Sequence, residues 1–201
     1  MKAAKFFSLG GLIMILFFLG SCGIVNQARE LERFSQCKFS VSSMALERVS
    51  GIDVSHVKSA SDLNFKDMIV FSRGFLEGKL PAEAIFNVSV TNSSGKKAAV
   101  SGMEWKVVQK QQVIATGKLI KAIVVPGHGH ISFDLNADLN LAAILRLNSV
   151  DQIMSIISGN VDAKTLQKLE ITIQLKPYYQ FDGKIKKYPG YFTITPEDLG
   201  Q

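Results

Sequence analysis

Residues 86–91, Phe86-Asn87-Val88-Ser89-Val90-Thr91, alternate apolar and polar side chains without a break. Successive side chains of a strand point to opposite faces, so this stretch offers one face to a core and one to water. The turn-forming run Asn92-Ser93-Ser94-Gly95 ends it. The same period returns on both sides. Val100 to Val108 predicts a strand with Trp105 and Val107 on one face, Gln109-Lys110-Gln111-Gln112 a hairpin tip, and Val113, Ala115 and Leu119 to Val125 the return. Pro126-Gly127 turns the chain before Ile131, Phe133 and Leu135. Leu169, Ile171, Ile173 and Leu175 alternate again, Phe39 to Val49 and Ile52 to Val57 supply earlier strands, and Tyr191 to Thr195 a last one. About seven or eight antiparallel strands, each with one wet face, predict a mainly β fold: a two-sheet antiparallel β-sandwich.

Two helical insertions interrupt the strands. Asn64 can cap a helix, with Asp67 three residues on as its capping-box partner. Phe65, Met68, Ile69, Phe75 and Leu76 form an apolar stripe expected to bury against the sandwich, and Gly78 with Pro81 ends the helix. The second helix is expected to start near Ala137 and restart at Ser149, where Gln152 completes an S-x-x-Q box. Its stripe is Val150, Ile153, Met154 and Ile157, and Gly159 closes it.

The N-terminus has a different grammar. Lys2 and Lys5 precede an apolar stretch from Phe6 to Leu19, interrupted by Ser8, Gly10 and Gly11. A membrane-spanning helix needs roughly 20 predominantly apolar residues. This shorter, Gly-interrupted stretch reads as a secretory signal peptide over residues 1–21. Leu19-Gly20-Ser21-Cys22 resembles the lipobox of bacterial lipoproteins. That resemblance implies that Cys22 carries a diacylglycerol thioether, becomes the mature N-terminus and is N-acylated. Several acyl chains on one residue would anchor the protein stably without a membrane span. Gly23 rather than Asp follows the cysteine, which favours the outer membrane, facing the periplasm. Residues 22–35 then read as a polar tether that lifts the domain, residues 36–201, off the bilayer.

The 201 residues carry 23 Lys and Arg against 17 Asp and Glu, a formal net charge of +6. The lysines are spread out, with Lys96-Lys97 and Lys184, Lys186 and Lys187 the small clusters. This is a solvated basic surface rather than a nucleic-acid site, although it favours contact with anionic headgroups or polymers. With Cys22 committed to lipid, Cys37 is left alone and cannot form an intramolecular disulfide. Alternating with Phe39 and Val41, it is expected to point into the core as a small apolar residue.

Several landmarks share an order. Cys37-Lys38-Phe39 opens a strand, and Gly51-Ile52-Asp53-Val54 follows. The capped helix ends in Gly78-Lys79-Leu80-Pro81, before Phe86 to Asn92 and Ala115-Thr116-Gly117. Lys187-Tyr188-Pro189-Gly190-Tyr191-Phe192-Thr193 comes last. Over roughly residues 37–195 this order resembles the late-embryogenesis-abundant type 2 family, the group with the water-stress (WHy) domain, in its bacterial lipoprotein branch. The resemblance implies a fibronectin-III-like sandwich and a role in desiccation or osmotic stress tolerance, without established catalysis. The family's strand motif ends in an Asn, often N-P-N; Asn92 fits, and Ser93-Ser94 replace the rest. Asn92, Pro189 and Gly190 are expected to hold backbone turns, since Asn and Gly tolerate a left-handed backbone.

Candidate chemistry is thin. His128 and His130 are separated from His56, and a metal site needs three or four ligands, so they read as a solvated turn. Ser55-x-x-Lys58 and Ser94-x-x-Lys97 match a serine-nucleophile spacing, but neither S-D-N nor K-T-G accompanies them. Gly127-x-Gly129 has no strand–turn–helix context for a phosphate loop. Tyr178, Tyr179, Tyr188 and Tyr191 suit either a binding platform or rim packing. No cofactor is implied. Three functions stay open: a non-enzymatic envelope domain that binds or protects a partner, a periplasmic carrier of an apolar ligand or lipid, and an enzyme. An empty apolar cavity would favour the carrier; a filled core with an exposed apolar patch would favour the binding domain.

Overall fold

Two antiparallel sheets face one another in a computed structural model that describes residues 26–145, 156–157, 160–181 and 183–194. A helix over residues 26–35 (α1) leads into β1 (Lys38–Val49) and β2 (Ile52–Asp53), and α2 (Phe65–Leu76) precedes β3 (Pro81–Thr91). β4 (Ala98–Val100), β5 (Gly102–Gln109), β6 (Gln112–Leu119), β7 (Ile123–Val125) and β8 (His130–Asn140) follow. After α3 (Leu141–Leu145) come β9 (Asn160–Asp162), α4 (Ala163–Lys168), β10 (Ile171–Phe181), β11 (Lys184–Lys187) and β12 (Phe192–Ile194). The first sheet runs β2-β1-β3-β8 with β9 on β1; the second runs β11-β10-β5-β6 with β12 on β10; β4 and β7 form a small third sheet. The fold is thus mainly β, a two-sheet antiparallel sandwich with helical insertions.

The stretch 86–91 lies at the centre of the first sheet. Phe86 pairs with Met44 of β1 and Leu135 of β8, and Val88 with Val41 and Phe133. Phe86, Val88 and Val90 are fully buried, and each contributes about 1.5–3 kcal/mol of burial. Val107 and Trp105 face them from β5, paired with Ile173 and Leu175 of β10. Trp105 also pairs with Gly117 of β6, where a Cβ would fall 2.1 Å from the indole. The glycine of Ala115-Thr116-Gly117 is therefore a space requirement: the indole lies where a side chain would be. The expected β5–β6 tip is a two-residue turn at Lys110 and Gln111, with φ of 46° and 68°, the left-handed geometry that matches strand twist.

The longer expected strands are cut short. Val100 to Val108 breaks at Gly102, whose φ is 148°, so β4 leaves the sheet and pairs with β7. Leu119 to Val125 breaks at the exposed Ile120. Ile52 to Val57 is a strand only at Ile52–Asp53, because Asp53 Oδ1 accepts from both the backbone and the hydroxyl of Ser55 and bends the chain. Ala137 begins no helix. It is a buried residue of β8, paired with Ala84, and the strand continues to Asn140. Ile157 is buried as expected, while Ser149, Val150, Gln152, Ile153 and Met154 lie outside the described residues.

Both flanking helices depart from their expected environments. Residues 26–35, assigned to a tether from their polarity, form a helix that buries Leu31 and Phe34 in the core. The expected capping box of α2 is present: Asn64 Oδ1 accepts from the Asp67 amide, and the Asn64 amide donates to Asp67 Oδ2. Of its stripe, only Phe75 packs on the core. Phe65 (77% exposed), Met68, Ile69 and Leu76 (82%) face solvent, and Phe71 and Gly74 are the buried residues. The α2–β3 connection sets this rotation. Gly78 takes a φ of 70°, the Lys79 amide donates to the Gly74 carbonyl, and a Cβ on Gly74 would come within 2.7 Å of the Lys79 carbonyl. Asn140 then clamps the corner, donating to the Gly78 carbonyl and accepting from the Leu80 amide.

Candidate functional site

Strand register divides the molecule into two poles. Lys38, where α1 hands over to β1, pairs with Thr91 at the end of β3. Tyr178 of β10 pairs with Gly102 at the start of β5, and β10 runs on to Phe181 beside β11. The α1–β1 junction, the β3–β4 and β7–β8 connections and the β10–β11 tip therefore share one pole. The chain from Val54 to Leu80, with α2, occupies the other.

The first pole is organised by Asn92, which is 2% exposed. Its Nδ2 donates to the carbonyls of Lys96 and Pro126, at 2.9 and 3.0 Å, and more weakly to that of Val125. Its Oδ1 accepts from the Ser94 amide and hydroxyl. One amide thus fastens the β3–β4 connection to the β7–β8 connection. The expected reason for an Asn here, a left-handed backbone, does not apply: Asn92 is not among the positive-φ residues, and the side chain does the holding. Lys97 ties the same loop to α1, through its ammonium on Glu30 at 3.0 Å and its carbonyl, which accepts from Arg33. An aromatic chain Phe34–Phe39–Phe192–Tyr188 continues from α1 to β12, with ring centroids 5.2, 6.2 and 4.8 Å apart.

The outer face of the second sheet is basic and carries two tyrosines. The Tyr191 ring lies beneath the ammonium groups of Lys106, at 4.5 Å, and Lys176, at 5.1 Å. Lys187 donates to Glu104 at 2.7 Å and stands 5.9 Å from the Tyr178 ring. The Lys187 hydrogen bond, then that of Tyr178, holds the Glu104 carboxyl below the usual carboxylate range. Desolvation first, and Glu104 second, push the Tyr178 hydroxyl up. These tyrosines are engaged with lysines across the rim, while Tyr179 and Tyr188 pack against the core. The long-range pair Glu104–Lys187 had no sequence signal, since its partners are brought together only by two strand registers.

The other residues of interest are dispersed. Cys22 lies outside the described residues. Cys37 is buried at the bend before β1, donates to the Arg33 carbonyl and has a thiol pKa pushed up by desolvation, the environment of an inert rather than a nucleophilic cysteine. His128 and His130 are exposed on the β7–β8 side of the first pole. His56 stands at the second pole, with Nδ1 4.0 Å from Asp53. No group of three or more His, Cys, Asp or Glu is placed to hold a metal among the described residues. Ser55 is bonded to Asp53, and Ser94 to Asn92 and the Lys96 carbonyl, so neither hydroxyl is turned to a lysine base. Pro189 and Gly190 form a bend. Gly190 has no left-handed φ, and a Cβ there would meet only Tyr188 at 3.8 Å, so the expected need for glycine is absent.

No protein-family model matches the chain, and no curated protein matches it. Among solved structures it is similar to a protein from Archaeoglobus fulgidus, with 17% identity, a TM-score of 0.31, and coverage of 56% of this chain and 80% of that one. It is also similar to the putative ApaA protein from Bordetella pertussis, at 8% identity and TM-score 0.33, covering 79% of this chain and 94% of that one. A family 2 glycoside hydrolase β-glucuronidase aligns at 7% identity and TM-score 0.28, and the chain spans 11% of its length. No helix among the described residues is long and apolar enough to cross a membrane.

Proposed function

We propose that this chain is a lipid-anchored, non-enzymatic domain of the bacterial cell envelope, of the late-embryogenesis-abundant type 2 kind, acting in desiccation or osmotic tolerance. Cys22 bears the lipid, and the domain stands in the periplasm on the outer membrane. The finer form of the fold in this reading is fibronectin-III-like. What supports it is the sandwich itself, two packed antiparallel sheets of five strands each when the short strands β2, β9 and β12 are counted.

One observation carries the binding role: α2 turns Phe65, Met68, Ile69 and Leu76 to solvent at the pole away from α1. A soluble surface seldom keeps such a stripe without use. Its position, at the far end of β3 from the α1–β1 junction, turns it away from the anchoring bilayer, so the occupant is a protein. An apolar segment uncovered in an envelope protein as water is withdrawn fits this face. A carrier of a small apolar ligand needs an enclosed cavity, whereas this face is open.

The test combines a cell and a tube. Cys22→Ser should cost survival after drying or osmotic shock. The domain should preserve the activity of a periplasmic enzyme through drying and rehydration, and Met68→Asp with Ile69→Asp should abolish that protection while thermal unfolding stays unchanged. Full protection by a normally folded double variant would sink the reading.

A further inference from the structure

We propose that the β10–β11 tip and the neighbouring Lys96 loop form a second membrane contact, which lays the first pole on the anionic headgroups of the bilayer that holds the Cys22 lipid. This rests on the lipid-anchor reading and adds to it a docking face and an orientation.

Three observations place it. First, α1 is part of the folded domain from residue 26, with Leu31 and Phe34 in the core. Cys22 is four positions before Asn26 in sequence, a reach of at most about 14 Å, and α1 is tied to the first pole through Glu30 and Arg33 on Lys97, so the anchor holds the first pole near the membrane surface. Second, the chain approaching this pole meets basic loops. Lys96 is exposed on the β3–β4 connection, and every residue of β11, Lys184-Ile185-Lys186-Lys187, is exposed. Lys187 is engaged with Glu104, and Lys97 with Glu30. Lys96 and Lys184 have no carboxylate in ion-pairing range among the described residues. Asp182, in the tip, lies outside the described residues and supplies one opposing charge. Third, the tip overhangs. β10 pairs with β5 as far as Tyr178↔Gly102, while Tyr179, Gln180 and Phe181 continue with β11 beside them. Ile185 on that overhang is 68% exposed. An apolar residue between lysines on a projecting hairpin suits the headgroup layer, where the side chain enters the acyl boundary and the ammonium groups meet phosphates.

The charge at the second pole argues for direction. At that pole the bases Arg48, Lys58, Lys66, Arg73 and Lys79 stand among the acids Asp53, Asp62, Asp67, Glu77 and Glu83, with Arg48–Glu83 and Arg73–Glu77 in ion pairs. An anionic surface therefore draws the first pole and has little hold on the second.

The experiment uses the full lipidated chain in vesicles of pure phosphatidylcholine and in vesicles containing a third phosphatidylglycerol. An environment-sensitive dye is attached through Ile185→Cys or, at the second pole, through Leu76→Cys. Flotation with phosphatidylcholine vesicles reads the anchor alone. The dye at position 185 should be quenched several-fold more by a headgroup-depth quencher in the phosphatidylglycerol vesicles. The dye at 76 should show no such increase. The increase should vanish in 0.5 M salt, where the Debye length is about 4 Å. Lys96→Gln, Lys184→Gln and Lys186→Gln together should remove it at low salt, weakening attraction to the surface at least tenfold, by order of magnitude. Flotation without quenching at 185, or quenching at 76 instead, overturns the proposed face and leaves the anchor standing. Salt-sensitive flotation on phosphatidylglycerol alone supports the face and refutes the anchor. Failure to float on either overturns both.

Discussion

Helices α1 and α2 bracket the first sheet at opposite poles and are treated in opposite ways. The residues of α1 are mostly polar, yet it buries Leu31 and Phe34, ties Glu30 and Arg33 to the Lys97 loop, and passes its aromatic contact on to Phe39. Helix α2 has a complete capping box and a long apolar stripe, yet it holds the domain through Phe71, Gly74 and Phe75 and leaves the stripe in water. Caps and periodicity specify that a helix forms. Which face is covered depends on what the connecting turns allow. The α2–β3 corner, with Gly78 in the left-handed region and Asn140 bonded to Gly78 and Leu80, fixes the helix rotation before hydrophobicity can choose it.

The contrast breaks first at Phe34. If α1 is structural, Phe34→Ala should cost about 3–5 kcal/mol, the range for emptying a buried aromatic site. Denaturant unfolding with unchanged slope would read it. A loss below about 1 kcal/mol would return residues 26–35 to the role of a loose tether.

Asn92 sharpens the same pole with a smaller effect. Asn92→Ala leaves the Pro126 carbonyl without its side-chain donor and the Lys96 carbonyl with the Ser94 hydroxyl alone, in a site 2% exposed. The expected loss is about 2–3 kcal/mol. Asn92→Asp keeps an acceptor for Ser94 but turns a second acceptor on those carbonyls, so it should not rescue. Equal stability of Asp and Asn variants across neutral pH, by thermal melts, would show that the amide donor is not what holds the two loops.

Much of the sandwich could be read from period-two alternation because β3, β8 and β10 alternate between a buried and a more exposed face. Phe86, Val88 and Val90 gave the central strand, and Ile171, Ile173 and Leu175 another. Breaks at Gly102, Ile120 and Asp53 were hidden, since each depends on a φ value, an edge or a local hydrogen bond. For the candidate site, Asn92 was legible as a turn residue but its mode of action was not, because its partners Val125 and Pro126 lie far along the chain. The Tyr191 contacts with Lys106 and Lys176 required the β5–β10 register. The tip lysines were visible as a cluster, while their place at the same pole as the α1–β1 junction came only from the strand registers.

The smallest expected change tests the other half of the comparison. Leu76 is the last residue of α2 and 82% exposed. Its removal from a buried stripe would cost about 2–5 kcal/mol, as for a core Leu. On an uncovered face, Leu76→Ser loses little burial and only a few tenths of a kcal/mol of helix propensity, so stability should move by less than about 0.5 kcal/mol. The variant should instead be more soluble and bind a hydrophobic reporter dye more weakly, because a large apolar side chain has left the surface. Equilibrium unfolding and dye titration on one preparation separate the two quantities. A loss above about 2 kcal/mol would mean that the α2 stripe is covered in the intact protein, and the difference between the two helices would then be one of partner and not of exposure.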